Sequence, residues 1–147
     1  MSSLPGCAML ALLVLAPAVG LAEDARPTAF EGRWFVDLVC EDVKENGQLA
    51  KGYELRFEAE VRNGRLTGQY GSPGSPSSLT LVGTVAPDGT LELRADGQTG
   101  KSDRTVGYVP QGTRYGYTME GLLSGNQGSA RRRELRPCSA TFSRAPR

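Results

Sequence analysis

Apolar and polar side chains alternate strictly from residue 53 to residue 62. Tyr53, Leu55, Phe57, Ala59 and Val61 fall on one face, and Glu54, Arg56, Glu58, Glu60 and Arg62 on the other. A period of two is that of an extended chain with one side against a core, so the segment predicts a half-buried strand. Asn63-Gly64 follows at once, and Leu66, Gly68 and Tyr70 resume the inward register. Asn-Gly between two alternating runs predicts a two-residue hairpin, because both residues tolerate the positive φ that such a turn needs. Residues 79–85 repeat the pattern with Leu79, Leu81, Gly83 and Val85. Pro87-Asp88-Gly89 then turns the chain, and Leu91, Leu93 and Ala95 continue on the far side, which makes a second hairpin.

Upstream, Trp34, Val36, Leu38 and Cys40 share one face of a first strand. Downstream, Tyr115, Tyr117, Met119 and Gly121 share another, residues 125–128 read as a turn, and Leu135, Ala140 and Phe142 belong to one or two closing strands. No stretch beyond residue 22 has a helical period. Short strands spaced by glycine- and proline-rich turns are the mark of an antiparallel meander. The predicted fold is all-β, an eight- or nine-stranded up-and-down barrel, since closing the sheet removes its exposed edges. A two-layer β-sandwich is the alternative. Residues 71–78, GSPGSPSS, are low in complexity but only loop-sized.

The first 22 residues carry no charge, and Cys7 to Ala22 form an apolar run interrupted by Pro17. That run is short for a membrane span, and Gly20-Leu21-Ala22 supplies the small residues of a cleavage site. The expected organisation is a signal peptide over 1–22 cut after Ala22, a flexible segment over 23–29, and a single β-barrel domain over 30–147. It implies a periplasmic or secreted protein with no stable membrane span after cleavage. The first six residues lack the usual lysine or arginine. Cleavage removes one of the three cysteines and leaves Cys40 and Cys138, an even number in an oxidising compartment, so they are expected to pair. The closed loop would contain most of the domain and contribute about 4 to 5 kcal/mol on the loop-entropy estimate.

The net charge of +1 conceals a gradient. Residues 23–60 hold ten acids and five bases, while residues 131–147 hold six arginines and one acid. If a disulfide brings the first and last strands together, these segments would pair across strands. Arg131-Arg132-Arg133 therefore reads as a solvated strand with internal partners. Nucleic-acid binding does not fit a chain that lacks overall basicity.

Candidate chemistry is sparse. Residues 95–102, ADGQTGKS, differ from a phosphate-cradling loop in having Ala95 at the first glycine position. Such a loop needs a helix starting at its lysine, whereas Val106, Gly107, Tyr108 and Pro110 follow with strand and turn character. The chain has no histidine and no serine in a Gly-x-Ser-x-Gly setting, and Glu54, Glu58 and Glu60 belong to a polar strand face. No catalytic residue, metal site or cofactor is expected, and the protein reads as a non-enzyme.

Gly32-Arg33-Trp34 stands at the start of the first strand. Gly-x-Trp in that place resembles the opening motif of the calycin barrels, among them lipocalins, avidins and secreted inhibitors of bacterial metalloproteases. The resemblance implies a tryptophan closing one end of the barrel under a basic residue from the last strand, here Arg136 or Arg144. Residues 30–34 with Cys40, and Arg136-Pro137-Cys138 with Phe142, also resemble a group of small exported bacterial proteins, a likeness that implies no activity. The leading expectation is a monomeric binding protein with a small apolar ligand in the barrel. Trp34 would form the floor, and Tyr53, Phe57, Tyr70, Tyr115 and Tyr117 the lining. A protein-facing module, such as an inhibitor of an envelope or secreted hydrolase presenting loop 71–78, is the second expectation. A structural envelope role is the third.

Overall fold

A computed structural model describes residues 28–147. The expected signal peptide, its cleavage point, Cys7 and most of segment 23–29 lie outside the described residues. Ten strands follow in order: β1 (Gly32–Cys40), β2 (Val43–Glu45), β3 (Gln48–Ala50), β4 (Tyr53–Arg62), β5 (Arg65–Tyr70), β6 (Leu79–Val85), β7 (Thr90–Gln98), β8 (Arg114–Ser124), β9 (Gln127–Arg132) and β10 (Cys138–Arg144). Eight of them close into an antiparallel barrel in the order β1-β10-β9-β8-β7-β6-β5-β4, with β4 returning to β1. Strands β2 and β3 form a separate hairpin. Helical structure among the described residues is confined to two three-residue 3-10 turns, Ser102–Arg104 and Val106–Tyr108, so no helix there can cross a membrane.

The alternation seen in the sequence sets the wall. Trp34, Val36, Leu38 and Cys40 on β1 are all buried, and their neighbours Phe35, Asp37 and Val39 are exposed. Leu66, Leu81, Leu91, Leu93, Met119 and Phe142 complete the same interior from the other strands. Burying such side chains contributes about 1.5 to 3 kcal/mol each and makes this core the main source of cohesion. The small inward residues Gly68 and Gly97 do not leave holes. A Cβ on Gly68 would lie 2.9 Å from the Phe57 ring, and one on Gly97 would lie 2.7 Å from the Tyr115 hydroxyl, so each glycine makes room for an aromatic side chain.

The two ends of the barrel differ. At one end the connections are tight: Asn63-Gly64 between β4 and β5, residues 86–89 between β6 and β7, and Gly125-Asn126 between β8 and β9. Asn63 and Gly64 both have positive φ, 51° and 70°, as their hairpin requires. The turn expected over 125–128 is shorter than the spacing suggested, because Gln127 and Gly128 already belong to β9 and pair with Ser143 and Phe142 of β10. At the other end lie the β2–β3 hairpin and the longer connections 71–78, 99–113 and 133–137. Leu135, expected in a closing strand, stands in the last of these, 91% exposed and with φ of 50°.

The Cys40–Cys138 disulfide ties β1 to β10 at this loop-bearing end, where the two cysteines are register partners. The expected ion pairing between the acidic and basic segments does not occur among the described residues. The outward residues of β10 are Ser139, Thr141 and Ser143, which carry no charge, so Asp37 on the neighbouring β1 pairs with Arg56 on β4, and Arg33 on β1 with Glu58 on β4, all within residues 23–60. Arg133 reaches Glu120 on β8 instead.

Candidate functional site

The tight end is a closed floor. Trp34 is fully buried there, and its indole N–H donates to the Phe30 carbonyl at 2.9 Å. The guanidinium carbon of Arg144, at the end of β10, lies 4.7 Å from the centroid of the Trp34 ring. Arg144 also donates to the carbonyls of Glu31 and Ala29, at 2.7 and 2.8 Å. The Glu31 carboxylate accepts the backbone N–H groups of Thr28, Asn63 and Gly64 at 2.9, 2.7 and 3.0 Å. Burial acts to raise the Glu31 pKa, but these hydrogen bonds together outweigh it and hold the carboxyl below its ordinary value. A short segment before β1 is thereby fastened across the barrel end.

Arg136, the other base considered for Trp34, sits at the opposite end, with its guanidinium carbon 5.2 Å from the Tyr53 ring centroid. It is buried although the chain there is a loop. Its Nε donates to Glu41 O at 2.8 Å, Nη1 to Arg104 O, and Nη2 to both Ala50 O and Lys51 O. One side chain thus collects carbonyls from the chain after β1, from the end of β3 and the residue after it, and from connection 99–113. Burial is the main influence on this guanidinium and lowers its pKa from the ordinary value.

Connection 99–113 forms a roof over the mouth. Its base is closed by Thr99, whose N–H donates to Thr113 O at 2.9 Å and whose hydroxyl donates to Pro110 O at 2.7 Å. Its flank is joined to the β2–β3 hairpin by the Tyr108 hydroxyl on Leu49 O at 2.9 Å and by Lys51 Nζ on Asp103 at 3.1 Å. Loop 71–78 meets it on the other side through the Ser77 N–H on Thr99 O at 3.4 Å, and Gln98 Nε2 at the end of β7 donates to Gly74 O at 2.9 Å.

Beneath this roof the barrel opens into a cavity of about 490 Å³. Tyr53, Leu55, Tyr70 and Tyr115 line it from the strands, and Val106 and Val109 from the roof. Of the residues expected to line a ligand, Tyr53, Tyr70 and Tyr115 therefore meet in one wall. Tyr117 stacks on Tyr115 with ring centroids 6.1 Å apart and planes 7° from parallel, and Phe57 meets Tyr70 edge-on at 6.4 Å. These two rings support the lining residues from below. Trp34 lies at the far, closed end with the core between it and the cavity.

Burial raises the phenol pKa of Tyr53, Tyr115 and Tyr117 above the ordinary value, and for Tyr115 and Tyr117 the neighbouring Tyr53 adds to the rise. All three therefore remain hydroxyl donors at neutral pH. The Tyr117 hydroxyl is buried without a hydrogen-bond partner in the protein.

For one lining residue the sequence reading of a solvated Arg131-Arg132-Arg133 strand is corrected, because Arg132 falls on the core side. Arg132, the last residue of β9, turns into the mouth, with its guanidinium carbon 4.3 Å from the Tyr117 ring centroid. The available clue is its place in the period Gly128, Ala130, Arg132, which puts it on the core side. The β2–β3 hairpin was also missed, although Asn46-Gly47 at its tip is the same turn dipeptide that marks β4–β5.

Fold and site together define a closed eight-stranded antiparallel β-barrel with a sealed floor and a roofed, tyrosine-walled mouth. No protein-family model, curated protein or solved structure matches the chain.

Proposed function

We propose that this chain is a non-enzymatic binding protein that takes a small molecule into the mouth of the barrel. The observation that carries the proposal is the cavity of about 490 Å³ beneath connection 99–113. A pocket of that size, mainly apolar with a few convergent polar groups, suits a small ligand. The tyrosines supply broad, rigid contact surface at little entropic cost, and their protonated hydroxyls supply hydrogen bonds. The Trp34 floor under Arg144 supports a calycin-like arrangement as part of the same proposal. Action in the periplasm or outside the cell is also part of it, supported by the Cys40–Cys138 disulfide, a bond that persists in oxidising compartments.

Native mass spectrometry of the protein recovered from its producing cell tests this directly. A bound species of a few hundred daltons, displaced by Tyr115→Ala, is the expected result. Absence of any adduct, together with no saturable change in tyrosine fluorescence across a panel of apolar compounds, would overturn it.

The protein-facing alternative is favoured by one observation. Loop 71–78 is held in shape by Gly74 O and by the Ser77 N–H on Thr99 O at 3.4 Å, while Pro73 and Pro76 remain exposed. A pre-set loop presents itself to a protein partner at low entropic cost. Capture of a partner that persists after deletion of residues 72–76 would remove that alternative.

A further inference from the structure

Resting on the small-ligand proposal, we infer that the occupant of the mouth is an organic anion, a carboxylate on an apolar or aromatic body, and that Arg132 receives its charge.

Three consecutive arginines stand at the end of β9, two in the strand and Arg133 just beyond it, and the alternation separates them. Arg131 and Arg133 look outward, where Arg133 finds Glu120 at 2.7 Å. Arg132 shares its face with Ala130, and its side chain is only 15% exposed. A guanidinium removed from water needs hydrogen-bond acceptors, and an unsatisfied one is costly. Arg132 Nε is buried and makes no hydrogen bond within the protein. Glu134 Oε2 lies 3.9 Å from it, an ion pair too long for a hydrogen bond, while Glu134 Oε1 accepts the Thr118 hydroxyl at 2.8 Å. The guanidinium carbon lies 4.3 Å from the centroid of the Tyr117 ring, an attraction that holds the side chain in the wall of the cavity that Arg132 lines.

Arg136 is the poorer candidate, because four of its five N–H groups are committed to backbone carbonyls. The rest of the lining has the same sign. Lys101, Arg104 and Arg114 join the half-buried Arg132 and the buried Arg136 around the cavity, against the single carboxylate of Glu54, which binds Arg56 at 2.7 Å. A cleft lined by one sign of charge concentrates ligands of the other. Leu55, Val106 and Val109, with the faces of Tyr53 and Tyr115, then receive the uncharged body. A cation would meet repulsion at the rim, and a neutral ligand would leave Arg132 with only its long ion pair to Glu134.

The test is calorimetric titration of the oxidised protein with 1-naphthaleneacetate and decanoate, each compared with its uncharged primary amide. The acid of at least one pair is expected to bind about tenfold or more tightly than its amide, an advantage that falls with added salt. Arg132→Gln should abolish the advantage while leaving the affinity for the amide within about twofold, and Arg132→Lys should keep part of it.

Equal binding of acid and amide by the wild-type protein would overturn the anion assignment and leave the cavity proposal standing. No binding of any of the four compounds at about 1 mM, a free energy weaker than about 4 kcal/mol, would overturn both. An acid preference that survives in Arg132→Gln would remove Arg132 from its role. Should that variant fail to fold, the acid-to-amide ratio of the wild-type protein and its salt dependence still decide the question.

Discussion

Arg144 and Trp34 meet at the closed end of the barrel, with the guanidinium carbon 4.7 Å from the centroid of the indole ring. The contact joins the first and last strands, since Trp34 and Arg144 are register partners in the β1–β10 pairing. Replacing Arg144 with methionine keeps apolar cover on the ring but removes the charge and two carbonyl hydrogen bonds. The expected cost is about 2 to 4 kcal/mol, from charge-assisted hydrogen bonds and cation–π attraction together. Urea denaturation measures it, and an unchanged midpoint would show that the floor is held by packing alone.

Glu31 makes that floor pH-sensitive. Its carboxyl is held below the ordinary value of 4.5 in the folded state, so the stabilisation is complete above the unfolded value and is lost as pH falls through the folded one. The wild-type protein should be more stable than Glu31→Gln at pH 7, and the gap should narrow below about pH 4.5. Thermal melts at pH 7 and across the acid range check the sign. A gap that persists undiminished at low pH would assign the effect to something other than ionisation.

The tyrosine wall responds at the other end of the scale. Tyr53, Tyr115 and Tyr117 have folded pKa values above the ordinary 10, so folding loses stability as pH rises above the unfolded value. Phenolate absorbance should show a late-ionising fraction that unfolding in urea moves down toward pH 10. Tyr115→Phe should reduce its amplitude. A single transition near 10 in the native protein would place these rings in water.

Cys40 and Cys138 are separated by 98 residues, so reduction restores a long loop to the unfolded chain. The Cys40→Ser/Cys138→Ser variant should lose about 4 to 5 kcal/mol on the loop-entropy estimate. Equilibrium denaturation gives the difference. Intact mass of the oxidised protein before and after reduction should differ by two hydrogens.

Arg136 links three segments around the mouth. Arg136→Gln should speed amide exchange in residues 99–113 and around Lys51, with the floor amides near Trp34 unaffected. Exchange that accelerates equally at both ends would mean that Arg136 supports the whole barrel instead of its roof.

The wall was legible because a strand has a period of two and its turns carry distinctive residues. Strands β4, β5 and β6 coincide with the alternating runs at 53–62, 65–70 and 79–85, and Asn63-Gly64 turns where its φ preference requires. The candidate site was legible only in part. Tyr53, Tyr70 and Tyr115 could be placed on inward faces, but which inward residues border empty space depends on the connections, and 99–113 has no period to read.

Residue order alone determined the all-β class, the inward and outward faces, and the two cysteines available to pair, because each follows from local geometry or counting. Closure into eight strands, the placing of Arg144 on Trp34 and Arg136 on Tyr53, and the turning of Arg132 into the mouth were decided by tertiary structure. These outcomes depend on which distant carbonyls, rings and carboxylates come within reach once the sheet closes. For a long, flexible arginine, that choice is made by the partners it meets and not by its neighbours in the chain.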